Sequence, residues 1–372
     1  MTVLVTSIID ARAATHSRFH ELISCLAQED HALVVWPGSR LEVALDLPAN
    51  GLSSTFVSSR GLPIDEGLSA LSLPSRLRRI DFDLVVNYNT LAMGIAASLI
   101  AKKRGVPVIY DLADDLAETA PHYVRPRARR ATRFLVKSAV RANLRLADRV
   151  TCTTETLARK YGLTASACTI LPNGVDVERF RLDQRAEPSK NGTVRLVFVG
   201  GMREWLDFRP VLEGIRLLKA RGDRCHLSIF GGGPGVSTVR VLAAQLGVAH
   251  DVAFRGPIPY ERVPEALALA DVCLLPFDSS PVSLSSLPLK LLEYMAAGRP
   301  VISSPLPEIQ RLAGDVLWYA RTGHEYAAAI QEICDHRYSN ERLSAGVRLV
   351  ADNYSWRLFR DRLGATISLL GR

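Results

Sequence analysis

The chain has 372 residues, long for one core, and its 48% hydrophobic against 23% charged residues exclude a disordered chain, because such a composition buries enough apolar surface to fold. Its longest apolar run, residues 91–101, ends at Lys102, Lys103 and Arg104, short of the ~20 residues that a membrane helix needs. The formal charge of +8 is local: residues 125–149 hold nine basic side chains (Arg125, Arg127, Arg129, Arg130, Arg133, Lys137, Arg141, Arg145, Arg149) against Asp148 alone, so the remainder balances.

Residues 2–9 form a β-branched run with no basic lead-in and no cleavage-type small residues. They read as a first strand rather than a signal peptide, which predicts a cytoplasmic protein. The six cysteines show no CxxC pair and read as buried free thiols, with no zinc site. Short β-branched runs then alternate with longer amphipathic stretches, the pattern of parallel βα units. Strands are predicted at residues 3–8, 32–36, 84–88, 108–110, 150–153 and 169–171, and again at 195–199, 226–230, 252–254, 272–276 and 301–303. The polar stretch around residues 185–192 carries Pro188 and Gly192 without hydrophobic period and reads as a linker. The expected organisation is an N-terminal domain over 1–184, the linker 185–192, and a second domain over 193–355. Two doubly wound sheets in tandem place a ligand by default in the cleft at the carboxyl ends of their strands.

Arg133, Lys137, Arg141, Arg145 and Arg149 recur every four residues, with Leu135, Ala139, Ala142 and Leu146 on another face, so a helix with one apolar side and one cationic stripe is predicted. Like charges at this spacing repel by roughly 0.2–0.5 kcal/mol per pair. Two compensations fit: an anionic membrane surface, or acids elsewhere in the fold. Nucleic acid is disfavoured, because only Phe134 interrupts the arginines with an aromatic ring.

Two strand-to-helix turns are glycine-rich, one at Gly200 and Gly201 and one at Gly231, Gly232, Gly233 and Gly235. Each is either a phosphate approach at a helix N-terminus or a tight turn. The dinucleotide fingerprint GxGxxG fails at Val236, which disfavours a nicotinamide dehydrogenase. Further on, Pro288 suits a helix start, Leu291, Leu292 and Met295 give an apolar face, and Gly298 and Pro300 stop the helix before a strand. Lys290 and Glu293 share one face of it. They can hold a diphosphate and a ribose diol, or form an ordinary ion pair.

At these residues the chain resembles a known family, the retaining, nucleotide-sugar-dependent glycosyltransferases of family 4, which have the GT-B fold of two Rossmann-like doubly wound domains facing across a cleft. The resemblance rests on residues 170–180 (Ile-Leu-Pro-Asn-Gly-Val-Asp-Val-Glu-Arg-Phe) and 288–303, supported by 254–257, 270–276 and Tyr354-Ser355-Trp356 before a last helix at 356–372. It implies that Glu293 accepts bonds from the donor ribose, that Lys290 and Arg203 neutralise the donor diphosphate beside Gly200 and Gly201, and that Arg255, Pro257 and Ile258 border the base. Ser285, Ser286 and Leu287 complete the donor side. Residues 109–115 resemble the segment facing the sugar, and the last helix is expected to cross back onto the first domain. Three positions depart from the family: Ser285 stands where a carboxylate is usual, Pro288 removes a phosphate-binding N–H, and Ala113 replaces a frequent histidine.

The resemblance implies transfer with retention and no protein nucleophile, so preorganised cations must stabilise the leaving diphosphate. Lys290 and Arg203 are the candidates. Asp111 and Asp114 either orient sugar and acceptor or cap the next helix. His16 and Arg18 are candidate acceptor contacts, or an ordinary helix start. Asp81-Phe82-Asp83 imitates a metal-binding DxD but precedes a strand, and no obligatory metal or cofactor is expected. The expected donor is a nucleotide sugar and the expected acceptor a hydroxyl compound; a lipid-linked acceptor would place the chain at the inner membrane face. The competing functions are a GT-B protein that binds a nucleotide sugar without transfer, suggested by Ser285 and Ala113, and a GT-B epimerase or phosphorylase.

Overall fold

A computed structural model describes residues 1–8, 17–29, 31–35, 42–43, 62–182, 192–335 and 340–370. It divides into two compact units, residues 1–172 with 359–372, and residues 173–358.

The first unit runs β1 (Thr2–Ser7), α1 (Arg18–Glu29), β2 (His31–Val35), β3 (Glu42–Val43), α2 (Leu62–Arg76), β4 (Leu84–Tyr88), α3 (Ala92–Lys103), β5 (Val108–Leu112), α4 (Leu116–Thr119), α5 (Arg129–Leu146), β6 (Arg149–Cys152), α6 (Glu155–Lys160) and β7 (Cys168–Ile170). Its sheet has the order β3-β2-β1-β4-β5-β6-β7, parallel except at the β2/β3 edge. Reversal of strand order between β1 and β4 makes the doubly wound switch point. The second unit runs α7 (Val177–Phe180), β8 (Val194–Val199), α8 (Arg209–Ala220), β9 (Cys225–Phe230), α9 (Gly235–Gln245), β10 (Val252–Gly256), α10 (Val263–Ala268), β11 (Val272–Leu275), α11 (Pro281–Leu284), α12 (Leu289–Ala296), β12 (Val301–Ser303), α13 (Pro307–Ala313), β13 (Trp318–Tyr319), α14 (Gly323–Cys334), α15 (Asn340–Asn353) and α16 (Trp356–Ser368), of which the last part belongs to the first unit. Its all-parallel sheet, β10-β9-β8-β11-β12-β13, repeats the topology with the switch between β8 and β11. The predicted strands are present within one or two residues of their ends. The two missed strands, β3 and β13, have two residues each and carry no period to read.

Period-two burial explains why these runs form central strands. Leu196 and Phe198 face one core layer with Leu212, Leu227 and Tyr326, while Val197 and Val199 face the other with Leu291, Leu292 and Ile309. The units part at Pro172/Asn173, ahead of the boundary expected at 184. The reason is that residues after Asn173 pack with the second sheet: Phe180 lies in its core, the Val175 N–H donates to the Tyr354 carbonyl at 2.8 Å, and Gly174 lies against the Trp356 indole. Most of the expected linker falls outside the described residues.

Helix α5 corrects one assignment. Its buried side chains are Val136, Val140 and Asn143, so Leu135, expected on the apolar face, points outward. The Asn143 amide donates to the carbonyls of Thr90, Leu91 and Ala139, binding α5 to the start of α3. A buried Glu66 carboxylate on α2 caps the same helix start through the Leu91 N–H, and burial pushes it up to about 7 against the backbone N–H bonds that pull it down. Gly94 makes this junction possible: a Cβ there would stand 2.1 Å from the Thr90 hydroxyl and 2.6 Å from Asn143 Oδ1. Gly94→Ala is therefore expected to lower unfolding free energy by about 1–3 kcal/mol, the ordinary cost of overpacking, measurable by urea denaturation.

Candidate nucleotide-sugar site

In the second unit the switch point is built from bare backbone. Gly200 ends β8 at φ +136° and Gly231 ends β9 at φ +140°, both in the region that side chains disfavour. A Cβ at Gly231 would lie 2.0 Å from the Gly200 carbonyl oxygen, and one at Gly233 2.5 Å from that of Met202. The loops can therefore zip together: the Gly200 N–H donates to Phe230 (2.8 Å), Met202 to Gly232 (2.8 Å) and Gly231 to Gly256 (2.7 Å). Of the two readings left open for these glycines, the tight turn is thus realised, and it leaves a surface free of side chains.

Helix α12 is fastened to that surface by Tyr294, whose buried hydroxyl accepts from the Val199 N–H at 2.8 Å and donates to the Val199 carbonyl at 3.2 Å. The hydrophobic pattern could place Tyr294 in a core but gave no sign of this bond. One turn earlier, Lys290 lies across Gly200, so that a Cβ there would meet its Nζ at 3.0 Å. Its ammonium also stands 4.9 Å from the Phe198 ring and 5.7 Å from the Phe277 ring. Desolvation lowers Lys290 to about 8, Glu293 opposing and Arg203 adding to the fall. Glu293 is buried, accepts a hydrogen bond from Tyr260, and is pushed up to about 7 by desolvation, against the opposing effects of Tyr260 and Lys290. The two side chains share a face without closing into an ion pair, so each remains open to a third group. Arg203 is exposed beside Gly201, with Nε 3.3 Å from where a Cβ would be.

Arg255 and Pro257 are exposed, and Ile258 packs partly against the core layer under α12. Ser285 and Ser286 sit at the end of α11 with their hydroxyls turned onto its carbonyls, Ser285 to Pro281 at 3.0 Å and Ser286 to Val282 at 2.6 Å. Leu287 is buried, and its carbonyl accepts from Asn173 at 2.9 Å. Sequence reasoning missed Asp278, which accepts from the Ser280 and Ser283 hydroxyls at 2.6 Å each and orders the loop before α11.

In the first unit the corresponding strand ends carry side chains. Asp111 is fully buried and takes two bonds from Arg18 (2.9 and 2.6 Å) and one from Thr151 (2.5 Å). Arg18 adds the Leu171 carbonyl at 2.5 Å and covers Phe359 at 4.9 Å. Desolvation opposes its charge, but Asp111 outweighs it and raises Arg18 above its ordinary value. The pair thus ties α1 to β5 and to the returning α16, where Arg360 also meets Glu21 at 2.9 Å. Arg18 was expected as an acceptor contact or an ordinary helix start, and Asp111 as orienting sugar or acceptor or capping the next helix; in this structure the two bond to each other. Asp114 is exposed. Asn89, at φ +50°, holds it by accepting from the Ala113 and Asp114 N–H groups at 3.2 and 3.3 Å. Desolvation by the surrounding protein raises Asp114, with Asp111 and Asp115 adding and Arg18 opposing, and its solvent exposure screens much of that push. His16 lies outside the described residues. Asp83 accepts from the Thr2 N–H at 2.8 Å, a use that belongs to the strand start. Among the described residues no three His, Cys, Asp or Glu side chains gather as a metal site.

The sequence matches the family model described as "Glycosyltransferase Family 4" over residues 16–179 and that described as "Glycosyl transferases group 1" over residues 193–336. It is 28% identical over 274 residues to TuaH of Bacillus subtilis (strain 168), named for teichuronic acid biosynthesis as a glycosyltransferase, covering 68% of this chain and 65% of that one. It is 33% identical to a GDP-mannose-dependent alpha-(1-6)-phosphatidylinositol monomannoside mannosyltransferase of Mycobacterium tuberculosis, covering 55% of each chain. The matches span less than two thirds of either relative. The solved structure of Anabaena HepE in complex with UDP and glucose superposes at a TM-score of 0.70 with 14% identity, over 99% of each chain, a likeness of fold. The chain belongs to the family 4 glycosyltransferases of GT-B fold.

A pH series isolates the electrostatics of α12. Because Glu293 is raised from 4.5 to about 7 in the folded chain, its neutral form stabilises the fold fully below pH 4.5, and that contribution is lost as pH rises through 7. Glu293→Gln, which keeps a neutral group, should gain stability relative to the parent over that interval, by up to about 3 kcal/mol. Unfolding free energies of both proteins from pH 4.5 to 7 check the sign. Tyr294→Phe, which strands the Val199 N–H, should cost about 1–3 kcal/mol at every pH.

Proposed function

We propose that this chain transfers a sugar, with retention at the anomeric carbon, from a nucleoside-diphosphate sugar to a hydroxyl acceptor in the building of a cell-envelope glycan or glycolipid. The observation that carries the reading is the pairing on α12. A cation held over bare backbone at Gly200 stands three residues from a buried carboxylate that has spare acceptor capacity. A diphosphate fits the first and a ribose diol the second.

The chemistry follows from these groups. Departure of the nucleoside diphosphate builds negative charge on its oxygens while the sugar becomes oxocarbenium-like. Lys290 and Arg203 neutralise that charge, and the N-terminus of α12 adds its dipole. The leaving oxygen then accepts the acceptor's proton on the same face, so no carboxylate nucleophile is required. Lys290 and Arg203 do the work that a divalent ion does elsewhere, so the proposed reaction is metal-independent. The UDP and glucose named with HepE and the GDP-mannose named for the mycobacterial relative support a nucleotide-sugar donor class. Among the described residues no helix is long and apolar enough to cross a membrane.

A second reading, nucleotide-sugar binding without transfer, is favoured by one observation. Where the family usually has a carboxylate, Ser285 turns its hydroxyl onto the Pro281 carbonyl.

Thermal stabilisation by UDP-, GDP-, ADP- and TDP-sugars in the presence of EDTA tests the donor site, since a ligand bound to the folded state raises stability by mass action. One base should give a selective rise. Glu293→Ala should abolish it, and Lys290→Ala should lower turnover on the order of 10²–10³-fold. Stabilisation that survives Glu293→Ala would remove the assignment, and stabilisation without product from any hydroxyl acceptor would favour the second reading.

A further inference from the structure

The cationic helix α5 is the largest feature that the donor chemistry leaves unused. Two compensations for its charge were open from the sequence, and the structure separates them. Of its stripe, Arg133 meets Glu118 at 3.1 Å, and at the following strand Arg149 donates to the Ser166 carbonyl. Arg130, Lys137, Arg141 and Arg145 have no carboxylate partner among the described residues, and neither do Arg125 and Arg127 on the preceding turn. Among the described residues, acids elsewhere in the fold therefore do not balance this charge.

The same face is also apolar in a way that a merely solvated helix is not. Arg130, Phe134, Arg141 and Arg145 fall on one line of the helix, opposite the buried Val136 and Val140. Phe134 is 72% exposed and Leu135 beside it 65%, while Tyr123, on the short turn Ala120–Tyr123 that packs against α5, is 67% exposed. Phe134 thus stands inside the arginine stripe, while Leu135, about a quarter turn round the helix, and Tyr123 on the adjoining turn expose further apolar surface; exposed apolar side chains set among cations mark contact sites.

We infer that this face of α5 docks on an anionic lipid bilayer, with Phe134 entering the headgroup boundary and Arg130, Lys137, Arg141 and Arg145 on the lipid phosphates. Charge complementarity selects this occupant. Cations adjoining aromatic and aliphatic side chains suit an interface that is anionic above and apolar below. Arginine and lysine stems also let the charged heads stay at phosphate level while the ring goes deeper. A nucleic acid would use the arginines but has no apolar layer to receive Phe134, and one exposed ring on the helix gives no stacking ladder.

The test uses the whole chain with vesicles of phosphatidylglycerol and phosphatidylcholine, or of phosphatidylcholine alone, in flotation assays across a salt series. The protein should float with the anionic vesicles and not with the neutral ones, and the binding should fall steeply with salt. Combined Arg130→Glu, Arg141→Glu and Arg145→Glu should lower the partition coefficient at least tenfold, whereas Arg216→Glu, exposed in the other unit, should leave it unchanged. Phe134→Ser should weaken binding without changing its salt slope, and Phe134→Trp should give blue-shifted emission quenched by brominated lipid. Equal flotation with neutral vesicles, retention by the triple variant, an unshifted tryptophan, or tighter binding to duplex DNA than to anionic vesicles at the same salt would each overturn the inference. The readout is vesicle binding rather than sugar transfer, so its failure and that of the proposed reaction are distinguishable.

Discussion

The second unit depends on a close approach of backbone to backbone at the ends of β8 and β9. Any side chain at Gly231 would meet the Gly200 carbonyl, and only without one can the loops bond to each other. This leaves a strip of main chain at the switch point, and Tyr294 sets the height of α12 above it by closing two bonds on Val199. Lys290 is consequently stretched over Gly200 between two phenylalanine rings, where it is stripped of much of its water. The lowered Lys290 and raised Glu293 are results of that packing, not of their mutual attraction, which opposes both shifts.

The two units share one topology and use it differently. At the switch of the second unit β8 and β9 run into glycines, so no Cβ rises from the backbone there. In the first unit Thr6 bonds to both Asn87 and Thr90, Asn87 reaches Ser98 on α3, and further along Arg18 closes on Asp111. A buried ion pair has little net worth over an apolar substitute, because desolvation offsets its Coulomb attraction. Its consequence here is geometric: losing either partner would strand a buried charge, so α1, β5 and the returning α16 are held in one arrangement.

What the sequence made legible follows the range of the interaction. Alternating βα patterns, the stop at Gly298 and Pro300, and the shared face of Lys290 and Glu293 are all set within a few residues, and each is present in the structure. The Arg18–Asp111 pair joins residues 93 apart and the Tyr294–Val199 bonds join residues 95 apart, and no local period encodes such partners. Leu135 was misplaced for a related reason. Periodicity marks which residues share a face of α5, but the contact with α3 through Asn143 decides which face is inward, and Asn143 is polar. Ser285 and Ser286 were placed on the donor side through the resemblance, and their bonds to the preceding turn exist only once α11 has formed.

The charge state of α12 ties this packing to the proposed chemistry. With Glu293 at about 7 and Lys290 at about 8, both groups titrate close to neutrality. A bound diphosphate would favour the charged ammonium, and ribose hydroxyls donating to Glu293 would favour the carboxylate. Each opposes the desolvation that shifts its partner group, so on the proposed reading the ligand restores to both side chains the ionic forms that burial weakens. Binding then shifts the proton balance of the two residues in opposite directions. The two proton shifts then oppose each other, one group taking up a proton as the other releases one.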